Sequence, residues 1–278
     1  MIYSLLRNYA RFVLKLLNKG TFYHTREHFP ETGPLILAPT HANSIMDGIL
    51  VTCAIKRPIW FLMRGDMFNK SKFLTALLNA CKIKPLFRPS EGKENMSEND
   101  ITMAACVELF KQNEAVLIFP EGISLNQNEL LPLKKGLARL AFMSKQEGIP
   151  IQISPITLNY EDYKSFGYKT NITFAKTVIA QEITEDTKEP KFVKLLTEEI
   201  RDSLNAGFNR IFKQNSFFGG LVYYLGWLLN FPIYFLAIFL AKKKAMDSVF
   251  FETVIFLVVL AILPFYWLLL GMSYFLIF

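Results

Sequence analysis

Two apolar runs near the C-terminus limit what this chain can fold into. Residues 217–241, FFGGLVYYLGWLLNFPIYFLAIFLA, hold no charge over 25 positions, and residues 249–278 hold only Glu252 over 30. A spanning helix needs about 20 predominantly apolar residues, and the core helix of a soluble protein seldom runs so long. Both runs therefore read as membrane helices. Pro232 and Pro264 interrupt them, which is tolerated in a membrane helix when neighbours satisfy the freed carbonyls. The linker KKKAMDS poses a topological problem. If residues 1–215 are cytoplasmic and 217–241 crosses once, Lys242, Lys243 and Lys244 emerge outside, against the positive-inside rule. A re-entrant turn near Asn230 and Pro232 returns them to the cytoplasmic side. The expected division is an N-terminal segment 1–19, a catalytic domain 20–215 and a membrane tail 216–278, transmembrane or re-entrant.

The net charge is +7, and the tail accounts for one unit of it, so residues 1–215 hold the other six. That excess suits anionic lipid or anionic substrates. Nucleic acid is disfavoured, because no Lys/Arg-rich run precedes a groove-reading helix and no zinc-finger spacing occurs. Cys53, Cys81 and Cys106 are far apart with no CxxC, as expected of free thiols in a reducing compartment. The opening MIYSLLRNYARFVLKLLNKG does not read as a signal peptide, since Arg7, Arg11, Lys15 and Lys19 leave no charge-free core. Their spacing predicts a basic amphipathic helix on an anionic membrane surface. A helix packed on the domain with its charges in water fits the same spacing. Chain size and the lack of targeting signals suggest a bacterial inner membrane, with the catalytic domain on its cytoplasmic face; an internal eukaryotic membrane is the alternative.

Residues 20–215 alternate between strand and helix patterns. PLILAPT reads as a strand, 45–55 as a helix, PIWFLM as an apolar run, and SKFLTALLNACKI as a helix leading to KPLFR. SENDITMAACVELFKQN is helical with a Ser or Asn cap. AVLIFPEG is a buried strand ending in a turn, and LKKGLARLAFMSKQEG a helix closed by Gly148. IPIQISPITLNY and NITFAKTV are strands, and EPKFVKLLTEEIRDSLNAGF is a last helix with Pro190 in its first turn. This order predicts an α/β fold: a mixed, mostly parallel sheet covered by helices on both faces.

Chemistry-bearing residues cluster in four short segments. In HANSIMD, His41 follows a strand and Asp47 lies in a helix's first turns. Six helical positions rotate by about 600°, so the two meet only if His41 sits in the loop and the chain folds back. Asp47 then fixes one ring nitrogen and leaves the other as a base. An ordinary strand end and first-turn acid fit the same letters. In IFPEGIS, Glu121 and Gly122 sit at a strand's C-terminal edge, where α/β sheets usually bind ligands; an ordinary turn fits too. In KPLFRPSEG, Arg88 follows a short strand and could fork onto a phosphate or point to solvent. In LLPLKKG, Lys134 and Lys135 sit at a helix start, a setting that favours anions, or are simply exposed. His24 and His28, in HTREH, lack a third ligand and read as structural; no metal is expected.

Taken in order, HANSIMD, KPLFR, FPEG and the Pro155-containing strand IPIQISPITL resemble the glycerolipid acyltransferase family, over about residues 20–180. Two departures stand out. Five residues rather than four separate His41 from Asp47, and Ile123 and Ser124 follow FPEG where Thr-Arg is usual. Both are similar to a branch that includes fungal glycerol-3-phosphate/dihydroxyacetone-phosphate acyltransferases. The resemblance implies direct transfer of a fatty acyl group from acyl-CoA or acyl carrier protein, with no other cofactor. His41 is the implied base, oriented by Asp47. Arg88, Glu121 and Gly122 are the implied acceptor ligands, with Lys134 and Lys135 compensating for the missing Arg. Ser44 and Ser124 are expected at the substrate-binding loop as hydrogen-bonding residues, Ser44 not as a nucleophile. The implied acceptor is lysophosphatidic acid or glycerol-3-phosphate. An amino-acid-based lysolipid acceptor, or a non-catalytic protein binding lipid or acyl-CoA, are the alternatives.

Overall fold

The structure, a computed structural model, describes residues 2–64, 71, 75, 78, 81–86, 96–163, 167–184, 188–208 and 217–277. Eight strands are described: β1 (Gly20–His24), β2 (Leu35–Pro39), β3 (Trp60–Arg64), β4 (Ile83–Leu86), β5 (Ala115–Leu117), β6 (Gln152–Tyr160), β7 (Lys169–Phe174) and β8 (Val178–Ile179). They form one sheet in the order β1–β7–β6–β2–β5–β3–β4, with β8 beside the start of β6. Strands β6, β2, β5, β3 and β4 run parallel, while β7 and β8 oppose β6. β1 runs parallel to β7. The mixed, mostly parallel sheet expected from the sequence is present. Its parallel strands end along one edge, and the HANSIMD and FPEGIS loops leave from the ends of β2 and β5.

Seven α-helices are described: α1 (Ile2–Leu17), α2 (Ile45–Ala54), α3 (Met96–Lys111), α4 (Gly136–Gln146), α5 (Glu189–Asn205), α6 (Phe217–Ala245) and α7 (Phe251–Ile277). Alternating side chains of each central strand divide the core. Ile36, Ala38, Val116 and Ile118 join α3, α4 and α5. Leu35, Leu37, Ala115 and Leu117 join α1, α2, α6 and α7 on the other face. This is why β2 is buried at every position, as a strand covered on both faces must be. The strand expected over 171–178 is two strands, since the chain breaks between Phe174 and Val178. The helix expected over 71–83 lies largely outside the described residues.

The composition break at 216 does not separate two cores. Ile233, Tyr234, Ala237, Ala241, Phe256 and Val259 of the tail belong to the same cluster as Val13, Leu17, Leu50 and Val51. α6 is one continuous helix through Pro232, so the chain does not turn near Asn230 and Pro232. It reverses over 246–250 instead. Tyr266 and Trp267 of α7 then donate back to α6, to the Leu229 carbonyl at 3.0 Å and to Asn230 Oδ1 at 2.8 Å.

The N-terminal helix also differs from the sequence reading. Arg11 donates to the Cys53 and Ile55 carbonyls, both at 2.7 Å, and Arg7 donates to the Lys56 carbonyl. The last carbonyls of a helix have no intrahelical partner and carry partial negative charge. Two of the four spaced cations therefore finish α2 rather than face lipid. Lys15 and Lys19 remain exposed, as do Leu5, Leu6 and Phe12.

A chain ending at residue 216 loses the cover of its α1–α2 face. Each apolar side chain uncovered there costs about 1.5–3 kcal/mol, against the roughly 5–15 kcal/mol that holds a domain folded. Such a fragment is expected to aggregate on size-exclusion chromatography and to melt without a cooperative transition. A monodisperse, cooperatively melting fragment would show that the tail is a separate appendage.

Candidate active site

At the end of β2 the chain leaves the sheet through Thr40 and turns back on itself before α2 begins. Met46 N–H donates to the Asn43 carbonyl at 3.0 Å, and Ser44 takes φ 50° and ψ −131° to close that turn. A non-glycine residue there stores about 1–3 kcal/mol of strain. The turn absorbs the five-residue spacer and brings His41 Nδ1 within 2.9 Å of Asp47 Oδ2.

Asp47 is completely buried. Besides His41, its Oδ2 accepts from the Asn43 backbone N–H at 2.7 Å, and its Oδ1 accepts from the Tyr160 hydroxyl at 2.5 Å. Tyr160, at the end of β6, is held protonated: burial and then the neighbouring Asp47 charge push its pKa well above the ordinary 10. With Asp47 accepting at Nδ1, the imidazole proton is assigned to that nitrogen and Nε2 keeps its lone pair. Nε2 makes no hydrogen bond among the described residues. The ring is 16% exposed and lies nearly parallel to Phe119, 3.7 Å between centroids at 13°.

The second loop is stitched to the first. Phe119 to Gly122 form a turn closed by Gly122 N–H on the Phe119 carbonyl at 3.2 Å. Gly122 has φ +70°, where any side chain is strained, and a Cβ there would also press on Lys134. Glu121 turns inward and is 3% exposed. Its oxygens accept from the backbone N–H groups of His41 at 2.7 Å and Leu131 at 3.0 Å. Each oxygen thus accepts one backbone donor, and Glu121 ties the His41 loop to the segment before α4. Burial raises its pKa, and the two N–H donors oppose that rise. Ser124 Oγ accepts from Ser44 N–H at 2.8 Å, Leu125 N–H donates to the His41 carbonyl, and Asn126 donates to the Ala42 carbonyl.

Lys134 and Lys135 are exposed, Lys134 beside Gly122 and Lys135 at the N-terminal cap of α4. Arg88 lies outside the described residues, two positions beyond the end of β4, whose end shares the edge with β2 and β5. His24 pairs with Asn171 at 3.1 Å and His28 with the Phe174 carbonyl at 3.3 Å, both at the β1–β7 side of the sheet. The sequence reading did not single out Tyr160, Asn43 or Phe119. For Tyr160 the sequence offers only a polar residue at a strand end; its emergence beside His41 follows from the parallel pairing of β6 with β2.

The sequence model of the acyltransferase family matches residues 21–159, half of the chain and inclusive of both loops. The chain is also similar to glycerol-3-phosphate O-acyltransferase 1 of Saccharomyces cerevisiae, at 28% identity over 102 residues. The chain belongs to the glycerolipid acyltransferase family. The aligned stretch takes in 36% of the chain and 13% of the yeast enzyme's length. The fold resembles that of the 1-acyl-sn-glycerophosphate acyltransferase PlsC of Thermotoga maritima, with a TM-score of 0.53 at 14% identity, over 76% of this chain and 82% of that one.

Two outcomes are expected of this chain. Tyr160→Phe removes one donor from a buried carboxylate and lowers stability by about 1.5–3 kcal/mol, read from denaturant midpoints. For Glu121, the folded chain binds more protons than the unfolded one from the ordinary pKa of 4.5 up to the raised folded value. Its contribution is therefore fully present below pH 4.5 and declines as pH rises through that window. Glu121→Gln is expected to flatten this slope, measured by melting temperature against pH.

Proposed function

We propose that this chain is a membrane-bound O-acyltransferase that moves a fatty acyl group from acyl-CoA or acyl carrier protein to a hydroxyl of lysophosphatidic acid or glycerol-3-phosphate. The observation that carries the reading is the His41–Asp47 pair, with Nε2 unengaged among the described residues, at the C-terminal edge of the sheet. Nε2 takes the acceptor's hydroxyl proton as its oxygen attacks the thioester carbonyl carbon. Asp47 stabilises the imidazolium that forms. The tetrahedral intermediate collapses, the C–S bond breaks, and the thiolate takes the proton back from His41. The product is an ester plus the free thiol carrier, without a covalent acyl-enzyme.

Lys134 and Lys135 supply positive charge on the FPEG side of the site for the acceptor phosphate, and Arg88 is the further cation assigned to it from the sequence. Glu121 is assigned to holding the loops. Tyr223–Ala245 and Phe251–Gly271 are long and apolar enough to cross a bilayer. Leu225, Leu228, Phe235 and Phe239 of α6 and Leu268 and Leu269 of α7 are exposed, together with Leu5 and Leu6 of α1. An apolar surface of this extent is what lipid covers. Lys242, Lys243 and Lys244 end α6 shortly before Glu252, which accepts from Asn43 of the His41 loop, and the positive-inside rule favours a cytoplasmic setting for this end of the hairpin.

The test is transfer of labelled acyl groups by purified full-length protein, offered acyl-CoA or acyl carrier protein with glycerol-3-phosphate, lysophosphatidic acid and amino-acid-based lysolipids. His41→Ala is expected to lower kcat by about 10²–10⁴ without unfolding the protein. Transfer at the wild-type rate by that variant would sink the mechanism, and no transfer to any acceptor would favour a lipid-binding protein. Lys134→Ala is expected to raise KM for a phosphate acceptor while leaving KM for a phosphate-free one unchanged.

A further inference from the structure

The single charge within the two apolar runs does not face lipid. Glu252 stands in the first turn of α7 and is 4% exposed. Its Oε2 accepts a hydrogen bond from the side-chain amide of Asn43, itself 1% exposed. Asn43 lies two residues after His41, and its backbone N–H is one of the donors on Asp47. A continuous series of hydrogen bonds thus runs from the tail hairpin to the imidazole: Glu252, Asn43, Asp47, His41. On its other side Glu252 faces Tyr168 and Asn18 around a cavity of about 20 Å3, a size and lining that suit one bridging water.

A carboxylate in this position is expensive, because burial strips its hydration and a well-packed apolar side chain would serve the hairpin better. What the carboxylate does that an apolar side chain cannot is hold the Asn43 amide. We propose that Glu252 is a positioning residue: through Asn43 it sets the Asp47–His41 pair, so that seating of the tail hairpin on the catalytic face decides whether His41 is held in line. This rests on the reading of His41 as the base.

The chain has three histidines, so full-length protein in nanodiscs with isotope-labelled histidine gives three imidazole signal sets, and His41→Ala identifies its own. Glu252→Ala is expected to move the His41 signals and leave those of His24 and His28 in place. In the transfer assay it lowers kcat on the order of 10- to 100-fold, as small displacements of a reacting group do, with KM for the acceptor little changed. Glu252→Gln keeps an oxygen facing Asn43 and is expected to recover both the signals and kcat. Asn43→Ala cuts the same link from the loop side while retaining the backbone donor to Asp47, and it reports even if Glu252→Ala does not fold. Its effect should match that of Glu252→Ala, and the double variant should be no worse than either. Unmoved His41 signals in Asn43→Ala, or losses that add in the double variant, overturn the proposal. The imidazole spectra are recorded without substrate, so they judge the series of bonds even if wild-type protein transfers no acyl group.

Discussion

A carboxylate shut off from water must be surrounded by donors, and Asp47 receives three, from His41, the Asn43 backbone and Tyr160. Each comes from a different piece of the fold: a strand end, a turn, and a strand 113 positions further along. Satisfying this one side chain therefore fixes the strained turn at Ser44, the register of β6 against β2 and the tautomer of the imidazole together. Glu121 repeats the solution on the neighbouring loop with two backbone donors. The two acids differ in what they anchor. Asp47 orients a side chain, whereas Glu121 ties down main chain, and only the first leaves a reactive atom open.

The sheet gives its two faces different tasks. The α3–α4–α5 side completes an ordinary α/β core. The other side is built from α1, α2 and the hairpin, each buried along one stripe and apolar on much of the remainder. Arg7 and Arg11 fasten α1 to the end of α2, and Tyr9 fastens it to α7 through the Leu260 carbonyl at 2.7 Å. α2 is the helix that carries Asp47. The His41–Asp47 pair and the apolar layer are therefore joined through α2.

Much of this was legible in residue order. Strand and helix periods revealed the alternating fold, and the motif order placed His41, Asp47 and the FPEG turn at one edge. What resisted reading involved direction and distance. Four-residue spacing puts Arg7 and Arg11 on a stripe but does not say whether lipid or the end of α2 lies opposite. FPEG marks a carboxylate, not which way it turns, and the inward turn of Glu121 depends on N–H groups of His41 and Leu131 that no motif contains. Tyr160 reaches Asp47 only through parallel pairing of β2 with β6, a long-range register invisible to local pattern. Helix arithmetic correctly required the chain to fold back between His41 and Asp47. The device that achieves it, a positive φ at Ser44, carries no glycine to announce it.

For the proposed transfer, the hairpin turn has a kinetic consequence. Only a handful of residues separate the exposed Met246 and Phe250 from Glu252, which accepts from Asn43 of the His41 loop. If lipid covers the hairpin, an amphiphilic acceptor reaches His41 by lateral diffusion and never partitions into water. Saturation then follows the acceptor's mole fraction in the bilayer, and diluting it with inert lipid slows turnover even when the amount per millilitre is constant. A water-soluble acceptor would be indifferent to that dilution.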